Sequence, residues 1–275
     1  MEKRGRAAGE PGRTREAIDV KEEGRTLDDP KPIWKDVVED GKQGVKMVVV
    51  HGGGEDDCQW MLSQGIPPRF VNGLRVTDAA SLEIVVAVLT GLINKELVSS
   101  LHRLGGRAIG ISGIDGGLLE ARIVNPELGF VGEINRVNGE PLQAILEGGY
   151  IPMIAPLASH CDDGSENSGS PLNINGDTVA GELAYALEAE RLVFLTDVEG
   201  ILDGSNRLIS RLDRRRANLL CRSGVVRGGM IPTLSACLRA LGRTPIANVV
   251  DGRRPEALLD CLRGVSTGTT IIGEG

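Results

Sequence analysis

Two kinds of apolar pattern alternate along the chain. Short continuous runs, Val45 to Val50 (VKMVVV), Ala108 to Ser112 (AIGIS), Ile151 to Ala155 (IPMIA), Leu192 to Thr196 (LVFLT) and Ala247 to Val250 (ANVV), are closed by Gly, Pro or Asp. Such runs predict strands buried on both faces. Between them the spacing turns helical. From Asp78 it puts Leu82, Val85, Val86, Leu89, Ile93, Leu97, Leu101 and Leu104 on one face, until Gly105 and Gly106 stop it. Further helices fit Asp177 to Leu187, Asp213 to Arg222, Ile231 to Leu241 and Pro255 to Arg263. Strands alternating with helices predict an α/β fold with an open, mainly parallel central sheet and helices on both faces. Such sheets bind ligands where loops leave the carboxyl ends of the strands, so function is sought there. The polar stretch from Ala158 to Pro171 reads as an exposed hairpin or loop.

A length of 275 residues allows one large domain or two lobes sharing a continuous sheet. With 38 acidic against 31 basic side chains, the net charge of −7 opposes binding to nucleic acid or an anionic membrane. The triplet Arg214 to Arg216 reads as a solvated helix face. Five scattered cysteines without a CxxC pair predict reduced thiols in a cytoplasmic protein. His160, Cys161, Asp162 and Asp163 are too close in sequence to converge on one ion, so no metal site is expected. Residues 1–16 are charged and Gly-rich without an apolar signal core and read as a flexible tail. No later segment reads as apolar for the length of a membrane span.

Glycine-rich turns recur at His51 to Gly54 (HGGG), at Ser112 to Gly117 (SGIDGG) and at Gly228–Gly229 before a helix. Backbone N–H groups in such turns can approach phosphate oxygens because no Cβ intervenes. Neither GxxxxGK[ST] nor GxGxxG occurs, which argues against P-loop and dinucleotide-binding sites.

In order along the chain, VVVHGGG, FVNGLRVTD, NKELV, GRAIGISGIDGGLLEARI, VGEINRVN, GYIPMIAP, NINGDTVAGELA, LTDVEGILD and GGMIP resemble the motifs of acetylglutamate kinases, in the amino-acid kinase family. The resemblance covers roughly residues 45 to 275. It implies a carbamate-kinase-like fold, with residues 17–185 as a lobe for the acidic substrate and residues 186–275 as a lobe for nucleotide. The implied reaction is ATP- and Mg²⁺-dependent phosphorylation of the side-chain carboxylate of N-acetylglutamate, in arginine biosynthesis. A homodimer or higher homo-oligomer is implied too. Arginine-inhibited hexamers are less similar, because the Gly-containing tail poorly supports their N-terminal helix. A carboxylate acceptor, with a pKa of about 4 in a model peptide, is already ionised at neutral pH and needs no general base.

Position by position, Gly52, Gly53 and Gly54 resemble the loop whose amides meet the transferred phosphoryl group. Arg75 resembles the arginine that clamps the substrate α-carboxylate. Asn173 and Asn175 resemble substrate-binding asparagines, and Asp177 resembles the aspartate that orients catalytic lysines. Thr196, Asp197 and Gly200, with Gly228 and Gly229, fall where the family contacts nucleotide. The segment Ala17 to Pro30 resembles the family's opening Lys-x-Gly-Gly motif, with Lys21 as the catalytic lysine and Gly24 as its second glycine.

Three stretches of the chain depart from the family pattern. Glu23 replaces the first glycine of that motif, Thr233 stands where GGMIPK has its lysine, and Glu55, Asp56 and Asp57 follow the HGGG turn. Arg227 is expected to reach the nucleotide phosphates in place of the absent lysine. A catalytically weakened homologue that binds acetylglutamate or nucleotide, or the same chemistry on an aminoadipate-type substrate, are the alternatives.

Overall fold

The computed structural model describes residues 15–20, 32–71, 74–161, 164, 168–265 and 267–273, with backbone alone for 15–20 and 55–57. The chain opens with β1 (Arg15–Val20), α1 (Pro32–Lys42), β2 (Lys46–His51) and α2 (Gly54–Ser63), then the hairpin β3 (Arg69–Val71) and β4 (Leu74–Val76). A long helical run follows: α3 (Ala79–Val86), a π-helical segment (Ala87–Ile93) and α4 (Asn94–Arg103). Next come β5 (Ala108–Ser112), β6 (Leu119–Ile123), β7 (Gly132–Val137), α5 (Glu140–Glu147), β8 (Ile151–Ala155), β9 (Leu157–His160) and β10 (Pro171–Asn173). The last elements are α6 (Gly176–Ala186), β11 (Arg191–Thr196), β12 (Arg211–Asp213), α7 (Arg214–Ser223), α8 (Met230–Ala240), β13 (Ile246–Asp251), α9 (Ala257–Leu262) and β14 (Thr269–Ile272).

Eight strands form the central sheet in the order β12-β14-β13-β11-β1-β2-β8-β5. Its inner strands run parallel, and β14 is antiparallel to β13 at one side. This is the open, mainly parallel sheet that the sequence predicts. Period-two burial explains why helices cover both faces. Met47 and Val49 of β2 pack with α1, α3, α4 and α9 on one face, whereas Val48 and Val50 pack with α6 and α8 on the other. The five expected strands and the later helices appear within two residues of their expected bounds. The last helix starts at Ala257 rather than Pro255, because Glu256 sits at φ 57° in the left-handed region.

Two features were not legible in the pattern. A second, four-stranded sheet, β10-β9-β6-β7, flanks the first. In it β9 and β10 pair antiparallel, so the stretch expected as an exposed hairpin does form one, but its base at Ala158 and His160 is buried. The long helical run also needs a correction. It is 25 residues long with mean hydropathy 1.6 over an 18-residue window, which meets the length and composition of a membrane span. Its Val85, Val88, Leu89, Ile93, Leu97 and Leu101 are nevertheless buried in the core against the sheet.

Helices α6 and α8 pack closely because position 181 has no side chain: a Cβ on Gly181 would lie 2.9 Å from the Ala236 carbonyl oxygen. On the other face, α1 buries two carboxylates, Asp36 and Asp40, beside its apolar residues. Asp36 accepts backbone hydrogen bonds from Leu258 and Leu259 of α9, yet burial pushes its pKa up to about 6.

The fold therefore favours the protonated Asp36. The stability this group contributes is complete below its unfolded value of 3.8 and is lost as pH rises through about 6. An Asp36→Asn variant is expected to match the native Tm at pH 4 and to exceed it by a few degrees at pH 7.5. Equal Tm differences at both pH values would refute the assignment.

Candidate active site

The register of the central strands sets the site's frame. Val20, the last residue of β1, pairs with His51 on one side and Leu195 on the other. The loops that leave β1, β2 and β11 thus emerge side by side at the carboxyl edge of the sheet. Lys21, Glu23 and Gly24 follow Val20 and lie outside the described residues. The strand itself runs through Asp19, which pairs with Val50 and Phe194.

After β2 the chain passes through Gly52 and Gly53 into α2. Gly53 is the N-cap and offers no side-chain cap, and Gly54 has φ 51°. An uncapped helix N-terminus presents unsatisfied N–H groups and the positive end of the helix dipole. These three glycines place no side chain between the end of β2 and the start of α2, the kind of helix start at which anions are bound in proteins. The SGIDGG turn is different. There the Asp115 carboxylate accepts hydrogen bonds from the Ser112 N–H (2.6 Å) and hydroxyl (2.8 Å), which closes the end of β5.

Helices α6 and α8 run back along the sheet, so their N-termini reach the same edge. The Thr233 hydroxyl donates to Asp177 Oδ2 at 2.8 Å and is 3.1 Å from the Gly229 carbonyl. Both side chains are buried, Asp177 to 4% exposure and Thr233 to 0%. The N-cap of α6 is Asn175, whose Oδ1 accepts from the Thr178 N–H at 3.1 Å. Asp177 is thereby freed from capping and is directed at the start of α8. At position 233, where the resemblance expects a lysine, an uncharged hydroxyl meets this carboxylate.

The residues expected to hold the acidic substrate gather on the other side of the site. Arg75, on β4, stacks over the Phe70 ring at 4.9 Å and donates to Met61 Sδ (3.2 Å) and Cys58 Sγ (3.3 Å) of α2. The Asn173 amide at the end of β10 donates to Thr77 Oγ1 at 3.1 Å. Thr77 is only two residues beyond Arg75, so this contact brings Arg75 and Asn173 into one neighbourhood. Asn175 follows two residues later, with its oxygen committed to the cap.

Of the residues expected to contact nucleotide, some face inward and some are open. The Thr196 hydroxyl lies 3.0 Å from the Val198 carbonyl and 3.3 Å from that of Val250, and ties β11 to β13. Gly200, at φ 144°, is buried where a Cβ would lie 2.7 Å from Thr269 Oγ1. Its lack of a side chain serves packing. Asp197 is exposed. Gly228 and Gly229 are exposed, with no atom within 4 Å of a built Cβ, and Gly229 caps α8 without a side-chain bond. No side chain shields the backbone there. Arg227 is exposed, and its Nε donates to the Gly224 carbonyl at 3.1 Å. Among the described residues, no group of three or more His, Cys, Asp or Glu could hold a metal ion.

Three residues of this site lie inside sequence motifs that assign them no role: His51, beneath the glycine turn, its partner Asn94, and Thr77. Asn94 left a signal, as a polar residue directly after Ile93 in the apolar stripe of the long helix. Its burial is complete.

Comparison with known proteins agrees with this geometry. The model of the amino acid kinase family matches residues 20–249. The acetylglutamate kinase of Synechococcus elongatus is 45% identical over 249 residues, covering 88% of this chain and 81% of that protein. A solved structure from Streptococcus mutans UA159 superposes with TM-score 0.79 at 25% identity, covering 94% of this chain and 98% of that one. Carbamate kinase from Giardia lamblia, at 15% identity, shares the fold with TM-score 0.68, covering 95% and 99%. The chain therefore belongs to the amino acid kinase family, among its acetylglutamate kinases.

Proposed function

We propose that the protein transfers the γ-phosphoryl group of ATP to the side-chain carboxylate of N-acetyl-L-glutamate, forming N-acetylglutamyl phosphate for arginine biosynthesis. The observation that carries this reading is the convergence at one sheet edge of the Gly52–Gly54 turn with the starts of α6 and α8, joined through Asp177 and Thr233. Curated acetylglutamate kinases at 43–47% identity favour this acceptor over an aminoadipate-type acid, and turnover over a binding role alone.

The chemistry suits these residues. The acceptor carboxylate is already a nucleophile, so the protein must align two anions and stabilise the charge between them. Arg75 and Asn173 hold the acetylglutamate, the first through a planar guanidinium that matches a carboxylate. The N–H groups at Gly52 to Gly54 face the transferred phosphoryl group, and Lys21 neutralises its charge. Asp177 orients that lysine from the start of α6. Gly228 and Gly229 with the N-terminus of α8 receive the nucleotide phosphates, Arg227 adds a cation beside them, and Asp197 lies at the nucleotide's edge. Thr196 and Gly200 shape the loop that carries Asp197, and Asn175 fixes the start of α6. Mg²⁺ bound with the nucleotide would neutralise charge on the phosphates. The two lobes, residues 17–185 and 186–275, divide these tasks between acid and nucleotide.

The enzyme works in the cytoplasm as a homodimer or larger homo-oligomer. The exposed apolar side chains Trp60, Leu62, Phe70 and Val71 offer a surface of the kind subunits bury.

A coupled assay is expected to detect ADP release with N-acetylglutamate and none with aminoadipate; silence with both refutes the proposal. Arg75→Ala is expected to raise KM for acetylglutamate about 10- to 100-fold, as for loss of a hydrogen-bonded charge, while leaving KM for ATP unchanged. An equal rise in both would place Arg75 elsewhere. Restoring the family pattern with Thr233→Lys and Glu23→Gly is expected to raise kcat by on the order of 10²-fold, the worth of one charge-stabilising donor. A folded variant with no gain would show that neither position faces the phosphates.

A further inference from the structure

Beneath the glycine turn lies a buried pair with no evident part in packing apolar surface. His51, the last residue of β2, is 0% exposed, and so is Asn94, the first residue of α4. The His51 Nδ1 lies 3.1 Å from the Gly52 carbonyl oxygen. A carbonyl can only accept, so Nδ1 carries the proton. The Asn94 amide nitrogen lies 3.0 Å from His51 Nε2 and also donates to the Met153 carbonyl at 2.9 Å. The amide cannot be turned over, because its oxygen would then face that carbonyl. On its other side, Asn94 Oδ1 accepts from Lys95 Nζ at 2.9 Å. Nε2 must therefore be bare and accept. Every polar atom of the pair agrees with one arrangement: a neutral imidazole protonated on Nδ1. Burial, and the nearby charge of Lys95, hold its pKa down to about 4.

Two local features adjoin this pair. The helix widens to a π-turn over Ala87–Ile93, immediately before Asn94. Insertions of this type rotate the downstream face and are frequent at functional sites. Gly110 of β5 leaves the room: a Cβ there would fall 1.9 Å from Asn94 Oδ1.

The consequence for the turn follows from the planar trans peptide. The C=O of Gly52 and the N–H of Gly53 belong to one plane and point in opposite directions. Holding the carbonyl on the ring thus fixes the direction of the next N–H. We infer that His51 and Asn94 are positioning residues that hold the Gly52–Gly53 peptide so that the Gly53 N–H faces the transferred phosphoryl group. The inference rests on the reaction proposed above. Glycine lacks the stiffness to hold this direction itself, so the ring supplies it from below without touching substrate.

Two substitutions and one spectrum test it. His51→Asn keeps a donor at the place of Nδ1, whereas His51→Leu removes it. With native-like Tm, His51→Leu is expected to lower kcat about 10- to 100-fold, up to the loss of one oxyanion-type donor, and to change KM for acetylglutamate less than twofold. His51→Asn is expected to recover most of that loss. Equal losses in the two variants, or a His51→Leu enzyme within twofold of native kcat, overturn the inference. Ring ¹⁵N resonances of the native protein should show a protonated Nδ1 and a bare Nε2 from pH 5.5 to 8; the other tautomer or an imidazolium overturns it even if no His51 variant folds. If the native protein releases no ADP, the proposed reaction has failed. The positioning is then judged by the Gly53 amide resonance, which should move in His51→Leu and return toward its native place in His51→Asn, and an unmoved resonance overturns it.

Discussion

The parallel register at the centre of the sheet is the constraint on which the site depends. Because Val20 lies between His51 and Leu195, three loops leave the sheet at neighbouring points. Helices α6 and α8 each lead through a short loop into one of the parallel strands β11 and β13, so they run back along the sheet and begin at that edge. The close approach of Gly181 to Ala236 then packs the two helices together at mid-length. Three helix starts thus collect on one side of the molecule, and a phosphoryl-transfer site needs such a concentration of positive dipole ends and glycine.

Within this frame Asp177 and Thr233 form a buried, hydrogen-bonded contact between the starts of α6 and α8. A buried carboxylate is costly unless it is hydrogen-bonded or paired. Here one of its oxygens takes a 2.8 Å bond from a hydroxyl that is itself fully buried. The hydroxyl satisfies the oxygen without adding a positive charge. The helices stay docked, and the site's net charge is more negative than a lysine at 233 would make it. The carboxylates at Asp36 and Asp40 are handled differently, since they lie on the opposite face of the sheet, where burial itself shifts them toward their neutral forms.

Much of this was legible in the chain. Strands buried on both faces announce themselves as unbroken apolar runs, and Asp, Gly and Pro mark their ends. The ordered motifs around Arg75, Asn173 and Asp177 pointed to residues that the fold gathers from β4, β10 and α6. Other features left no periodic trace. The π-turn rotates the face downstream of it, so that the polar Asn94 lies fully inside beside Ile93 and Leu97. The second sheet is built from strands of three to six residues, too short for alternation to identify. Asn175 reads as a ligand residue until the helix start is seen, and only then does its oxygen prove to be the cap.

By itself the sequence determined the alternation of strand and helix, the two-sided burial of the central strands, and the set of glycines and polar residues placed near strand ends. Those properties are local, because they follow from side-chain period and backbone freedom. Only the tertiary structure decided that Thr233 would meet Asp177, that Thr196 and Gly200 would turn inward while Gly228 and Gly229 stay open, and that His51 would lie between the Gly52 carbonyl and Asn94. Each of these depends on contacts between residues far apart in the chain, or on which face a loop presents. Sheet register and helix packing set both, and hydrophobic pattern alone does not encode them.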